Sequence, residues 1–256
     1  MHTISAKGAK VKKRMYATLL ASLFLAPGVA AAQDTSTGAS SASPHSLSAN
    51  FSLVSDYRFR GISQTDKKPG IQGGFDYSHA SGFYVGNWNA SVTTDSYNGG
   101  AGLEMDFYAG FKPTYKDFTF DIGVLQYNYP GAKIAGSGQR YDTTELYAGV
   151  EYGPVSFKTW YGISNDWFGS DDAKGSLYYE LNGSYPLSDK LSLVAHVGYQ
   201  DVNDTSDADY WDYKLGVEYS WRQLTFGAAV VGVEDDDDFY GRYGDTTVVL
   251  SVGASF

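Results

Sequence analysis

From residue 48 to the C-terminus the sequence alternates, residue by residue, between an apolar set and a mixed polar set. "LEMDFYAGF" sets Leu103, Met105, Phe107, Ala109 and Phe111 against Glu104, Asp106, Tyr108 and Gly110. "FTFDIGV" sets Phe118, Phe120, Ile122 and Val124 against Thr119, Asp121 and Gly123. "WDYKLGVEYSW" does the same with Trp211, Tyr213, Leu215, Val217, Tyr219 and Trp221 against Asp212, Lys214, Gly216, Glu218 and Ser220. A period of two is the strand period, because successive side chains leave a pleated chain on opposite sides. Apolar residues at helical spacing do not occur beyond Leu47. The expected class is all-β.

Twelve strands are expected, at about 48–60, 70–79, 83–92, 103–115, 118–129, 141–152, 155–164, 175–185, 191–200, 210–221, 224–233 and 246–256. Short connections at 80–82, 116–117, 153–154, 186–190 and 222–223 alternate with longer ones at 61–69, 93–102, 130–140, 165–174, 201–209 and 234–245. An even strand number, with short turns at one end and long loops at the other, is the plan of a transmembrane up-and-down antiparallel β-barrel. A soluble sandwich or lipocalin-like barrel alternates too, with its apolar face inward. Three features favour the membrane barrel: an export signal, aromatics at strand ends on the apolar face (Tyr152, Tyr185, Trp211, Tyr219, Trp221 and Phe256), and a polar face rich in Gly and Ser. Such aromatics suit a membrane interface, where a ring keeps one edge in lipid and one in water.

The chain ends in "VVLSVGASF", an alternating segment with an aromatic as its last residue. Chain ends usually fray. In a closed barrel the last strand must pair with the first, since an open edge in lipid leaves backbone groups unpaired. Phe256 is therefore expected to close the ring. A C-terminal aromatic after an alternating strand also resembles the sorting signal of bacterial outer-membrane barrels. That resemblance implies barrel-assembly machinery and periplasmic chaperones as partners.

The N-terminus reads differently. Lys7, Lys10, Lys12, Lys13 and Arg14 precede an apolar run from Met15 to Ala26, and Ala30-Ala31-Ala32 offers a cleavage site. This is a signal peptide over 1–32, cut after Ala32; its apolar run is too short to span a membrane. Its five basic residues leave with it and no acid does, so the formal charge of −10 becomes −15 on export. Such a surface excludes nucleic acid as an expected partner. Residues 33–47, rich in Ser, Ala and Thr, read as a flexible leader, and 48–256 as the barrel. The expected location is the bacterial outer membrane, with its lipid and lipopolysaccharide as surroundings.

Two blocks carry a family resemblance. "SDYRFRGISQ", Ser55 to Gln64, is followed by "P-x-x-Q-G-G-F-D-Y-S-H-x-S-G-F-Y-x-G-x-W" from Pro69 to Trp88. Together they resemble the opening of a proteobacterial family named as TorF-like porins or as conserved hypothetical secreted proteins. "TELYAGVEYGPVSFKTWYG", 143–162, is similar as well. The resemblance implies an outer-membrane barrel and a pore. It implies no catalytic residues.

The chain carries no Cys and none of the Walker, H-E-x-x-H or G-x-S-x-G motifs. His196 faces inward with Ser192 four residues away, whereas barrel lipid hydrolases carry their Ser–His pair on the lipid side. No enzyme activity, cofactor or firm metal site is expected. "DVNDTSDADYWD", 201–212, echoes a calcium loop but lacks its Gly and its flanking helices. Asp235, Asp236, Asp237 and Asp238 form an acidic loop run, solvated or loosely bridged through divalent cations to lipopolysaccharide.

Alternation places Asp56, Asp76, Glu104, Asp106, Asp121, Glu145, Glu151, Glu180, Asp212 and Glu218 inward, with Arg58, Arg60, Lys112, Lys158 and Lys214. Arg58 and Arg60 belong to the first strand in this reading. Lys112 is expected opposite Asp121, and Lys158 diagonal to Glu151. Acids outnumber bases, so any pore is expected to prefer cations. Glu104, Asp106 and Glu180 lack partners in this register; with Asp56, Arg58 and Arg60, which either pair internally or shape the field across a pore, they are the lumen and selectivity candidates. Inward Tyr108, Tyr127, Tyr147, Trp160 and Tyr178 could instead fill the lumen. The function expected is a passive pore for small hydrophilic solutes; the alternative is a closed structural or surface-interaction barrel.

Overall fold

The computed structural model describes residues 43–93, 101–133, 140–203, 205–235 and 238–256. The expected signal peptide lies outside the described residues. So does most of the leader.

Twelve long strands form the wall: β1 His45–Val54, β2 Gly70–His79, β3 Phe83–Ser91, β4 Leu103–Phe111, β5 Phe118–Asn128, β6 Thr143–Tyr152, β7 Val155–Gly162, β8 Leu177–Pro186, β9 Leu191–Asp201, β10 Tyr210–Trp221, β11 Leu224–Asp235 and β12 Thr247–Ser255. Each is antiparallel to its sequence neighbours, and β1 pairs with β12, so the sheet closes on itself. At the seam Asn50 faces Ser255 and Val54 faces Ser251. Phe256 extends this pairing: its N–H donates to the Ala49 carbonyl at 2.9 Å, and the Ala49 N–H donates back to the Phe256 carbonyl at 3.0 Å. The last residue is thus tied by two backbone hydrogen bonds at the point where the ring shuts.

The apolar face points outward. Phe75 is 70% exposed and Leu215 58%, and Phe51, Leu53, Ile71, Val85, Phe107, Ile122, Leu181 and Leu250 are exposed with them. This overturns the inward-apolar alternative. A band of exposed Phe, Leu, Ile and Val around the whole wall is costly in water but matches hydrocarbon. Tyr152, Tyr185, Trp211, Tyr219, Trp221 and Phe256 are exposed on the same face near strand ends. Each wall strand is paired on both sides, so the sheet has no free edge, which is what a lipid-embedded sheet requires.

The first strand departs from expectation at both ends. It starts at His45, taking 45–47 from the expected leader, and it stops at Val54 rather than 60. Beyond Val54 the chain leaves the wall. Ser55 to Pro69 turns into the lumen, where Arg58–Phe59 and Ile62–Ser63 form a miniature hairpin of their own. Arg60 (φ 42°) and Gly61 (φ 82°) are its two central residues, both left-handed. That is the backbone of a type I′ turn, whose twist matches a tight hairpin. Arg58, Arg60 and Asp56 therefore lie on an inserted segment, not on the inward face of strand one.

Candidate functional site

The inserted hairpin fills the long-loop half of the barrel. Tyr57, Phe59 and Ile62 are buried at its core, against Tyr127, Tyr178, Trp167 and Phe168. Phe59 meets Tyr127 and Phe168 edge-on, with centroids 6.2 and 6.3 Å away. At the tip there is no room for a side chain on Gly61: a Cβ would stand 2.6 Å from Val233, 2.7 Å from Asp212 and 2.8 Å from the Gly232 carbonyl. The tip thus abuts the β10–β11 wall.

Asp56 organises the base. Its carboxylate accepts from Arg58 Nε and from Ser63 Oγ, each at 2.6 Å, and from Thr65 Oγ1 at 3.2 Å. Arg58 Nη1 in turn donates to the carbonyls of Gly61, Tyr243 and Asp245, tying the hairpin to the last long loop.

Arg60 reaches across the lumen. Its Nη1 and Nη2 donate to Glu145 on β6, at 3.2 and 2.7 Å, and Nη1 donates to Gln200 Oε1 on β9 at 2.8 Å. Tyr127 and Trp167 also donate to the Glu145 carboxylate, both at 3.1 Å. The guanidinium lies 4.1 Å from the Tyr178 ring centroid and 4.7 Å from that of Phe59. Only arginine offers this planar, two-pronged, stacked geometry. Burial is the largest influence and opposes its charge, but the Glu145 carboxylate, Tyr127 and Tyr178 together outweigh burial and hold the guanidinium protonated above its ordinary range.

The short-turn half is organised by inward glycines. Asp121, Gly149 and Lys158 are in register on β5, β6 and β7. Gly149 has no side chain to obstruct, so Lys158 lies across it and reaches Asp121 Oδ2 at 2.8 Å. Tyr108 crosses Gly86 in the same way to donate to Asp76, and Tyr147 lies over Gly123 to meet the Tyr84 hydroxyl. Tyr84 donates to Asp121 Oδ1 at 2.6 Å. These tyrosines lie along the wall instead of pointing at the barrel axis.

This arrangement corrects the expected ion pairs. Lys158 pairs with Asp121, and Lys112 with Glu151 at 3.6 Å, so the partners are exchanged. Glu180 accepts from Trp160 Nε1 at 3.1 Å and from Asn182 at 3.3 Å, so it is partnered. His196 sits between Asp212 Oδ1 (2.8 Å) and Asn182 Oδ1 (2.7 Å). Glu104 and Asp106 face inward but are wholly buried beside Tyr57, away from open lumen. In the acidic loop, Asp235 accepts from the Tyr240 N–H at 2.9 Å and Asp238 is exposed, while Asp236 and Asp237 lie outside the described residues. Among the described residues no three His, Cys, Asp or Glu side chains are gathered as a metal site.

Closed strand pairing, an outward apolar band and a polar, charged interior define a twelve-stranded transmembrane β-barrel with an inserted hairpin. The chain belongs to the Gcw_chp family, described as a bacterial protein of unknown function, whose model matches residues 38–256. That description does not carry the TorF-like name that the two sequence blocks suggest. No curated protein matches the chain. The barrel is similar to the NanC porin in a rhombohedral crystal form, with a TM-score of 0.50 at 10% identity, over 82% of this chain and 99% of that one. It is similar also to a structure from a study of the in-meso crystallization of membrane proteins, with a TM-score of 0.51 at 11% identity, over 82% and 83%. At these identities the likeness is one of fold.

Proposed function

We propose that the protein is an outer-membrane pore for small hydrophilic cations, closed over its long-loop half by the Ser55–Pro69 insert. The observation that carries this is the Arg60 latch. A barrel that only needed to be solid could be filled by its own wall side chains. Here a separate segment fills it, held by a charged bidentate pair and a hydrogen bond, and the short-turn half keeps its tyrosines flat against the wall. The porin likeness supports the same reading. Acids outnumber bases among the inward groups, which favours cations in a narrow lumen.

On this reading the signal peptide directs export and the long loops face outward, toward lipopolysaccharide. Phe256 serves both in delivery to the assembly machinery and in ring closure. The test is conductance in a planar bilayer. Wild-type protein should give small or intermittent events, and a variant with residues 57–63 replaced by Gly and Ser should give large, steady, cation-preferring ones. Heat-modifiable gel mobility would confirm that the variant is folded. A folded variant that stays silent would overturn the pore, in favour of a closed barrel whose acidic loops contact lipopolysaccharide or a partner.

A further inference from the structure

Glu104 and Asp106 stand two residues apart on β4, on its inward face. Their cross-strand neighbours on β3 are Ala90 and Trp88, and Asp106 also faces Tyr127 on β5. Both acids are 0% exposed. Their carboxyl groups lie within hydrogen-bonding reach of each other. The Tyr57 hydroxyl donates to Glu104 Oε1 at 3.1 Å, and the Tyr129 hydroxyl stands beside the same carboxyl. Three oxygens remain: Glu104 Oε2 and both oxygens of Asp106 have no hydrogen-bond partner. The two arginines of the insert are engaged elsewhere, Arg58 with Asp56 and Arg60 with Glu145.

Two buried carboxylates in contact, with no counter-charge, are strongly disfavoured. The charges must be cancelled, either by a proton on each group or by a cation held between them. A proton on each acid would cancel both charges, but one hydrogen bond between the two groups joins only two of the three oxygens and leaves the third unpartnered. A divalent cation matches both charges and gives all three oxygens a partner. The surrounding donors are all oxygen, which suits a hard cation. We propose that Glu104 and Asp106, with the Tyr57 and Tyr129 hydroxyls completing the oxygen set, bind one divalent cation of the Ca²⁺ or Mg²⁺ type. The site lies at the hairpin's flank, so the ion would fasten the insert to β4 through Tyr57. Ion binding is independent of conduction: a barrel that passes no current would hold the ion all the same.

The test is terbium luminescence on the intact, detergent-solubilised barrel after chelator treatment. Trp88 neighbours Asp106 across the strands, and its ring is 5.5 Å from that of Tyr57, so indole excitation should sensitise a bound Tb³⁺. The expected result is saturable emission from one site per chain, displaced by Ca²⁺. Glu104→Gln with Asp106→Asn should weaken Tb³⁺ binding roughly hundredfold or more. Asp235→Asn with Asp238→Asn should leave it unchanged. Trp88→Phe should bind Tb³⁺ in equilibrium dialysis with little emission. Absence of saturable binding, or equal binding by the Glu104/Asp106 double variant, would overturn the site. If that variant does not run as a folded barrel, infrared spectroscopy of the wild type decides. A protonated-carboxyl band that appears on chelation and vanishes with Ca²⁺ supports the ion. A band unchanged by Ca²⁺ assigns the pair to protonation and overturns the proposal.

Discussion

The two halves of the lumen are built from the same wall and differ in what occupies them. Toward the long loops, the Ser55–Pro69 insert and the 163–176 loop pack aromatic rings around one buried guanidinium, and Arg60, Tyr127, Trp167 and Tyr178 are almost wholly removed from solvent. Toward the short turns the described residues form no insert. The wall's own side chains lie flat over glycines, and groups such as Asp76, Tyr84, Tyr108, Glu151 and Lys158 keep part of their surface accessible. The difference shows that strand number alone does not decide whether a twelve-stranded barrel is open. One inserted segment occupies one half, and in the other the wall's own side chains lie over inward glycines and stay partly accessible.

Breaking the latch should have the largest effect. Arg60→Ala strands the Glu145 carboxylate in a buried site, at a cost of about 3–5 kcal/mol to seating of the insert. Conductance should rise, and amide exchange over residues 55–69 should speed up by orders of magnitude while that of the wall strands stays slow. Unchanged exchange in this segment would show that aromatic packing alone holds it. Adding Glu145→Gln to Arg60→Ala should recover part of the loss, because the stranded charge is gone.

A smaller effect is expected in the short-turn half. Lys158→Gln removes the charge that neutralises Asp121 and leaves the insert untouched. In a water-filled lumen a unit charge about 5 Å from a permeating ion is worth roughly 0.8 kcal/mol. The zero-current potential in a salt gradient should move toward stronger cation preference, by a few-fold in permeability ratio at low salt. At 1 M, where the Debye length falls to about 3 Å, the shift should nearly disappear. A shift of the opposite sign would remove Lys158 and Asp121 from the conducting path.

The smallest effect belongs to the rim. Lys67 Nζ lies 2.5 Å from Asp245 Oδ2, joining the end of the insert to the last long loop. The hydrogen bond from Lys67, together with its charge, holds the Asp245 carboxyl below its ordinary value. A depressed carboxylate pKa means the tie is fully present above the ordinary value near 4 and is lost as pH falls through the lowered one. Asp245→Asn should therefore change loop exchange slightly at pH 7, and the difference from wild type should vanish in strong acid. Exposed pairs of this kind contribute little.

Much of the wall was legible because period-two alternation is a direct consequence of the pleat. It located the strand segments, the short and long connections and the outward face. Alternation also misled at one place. Tyr57, Arg58, Phe59 and Arg60 keep the period of two, so "DYRFR" reads as more wall. The turn that closes the hairpin is type I′, and Arg-Gly is a weak signal for it beside Asn-Gly or Asp-Gly. The hairpin's own pattern, apolar residues on both sides of that turn, was the available clue. The exchanged ion pairs had another cause. The register around Lys158 placed its neighbours on adjacent strands, but a lysine laid across Gly149 skips a strand and takes its partner from the next. Glu104 and Asp106 were read only against their adjacent strands, and the contact of Glu104 with Tyr57 comes from the insert, which strand register does not describe.

The insert comes just after the first strand in the chain, yet its partners come late. Arg60 bonds to residues 85 and 140 positions further on, and Arg58 to one 185 positions further on. Contacts of such sequence separation form only after long stretches of chain have been brought together. While the wall is incomplete, Arg60 has neither Glu145 nor Gln200 to meet, and the tip of the hairpin has no β10–β11 surface to rest against. Seating of the hairpin is therefore a record that the later strands have arrived. A barrel halted before its closing strands would carry this early segment unseated, with two arginines and three large apolar side chains in the open, a distinct target for whatever degrades unfinished barrels.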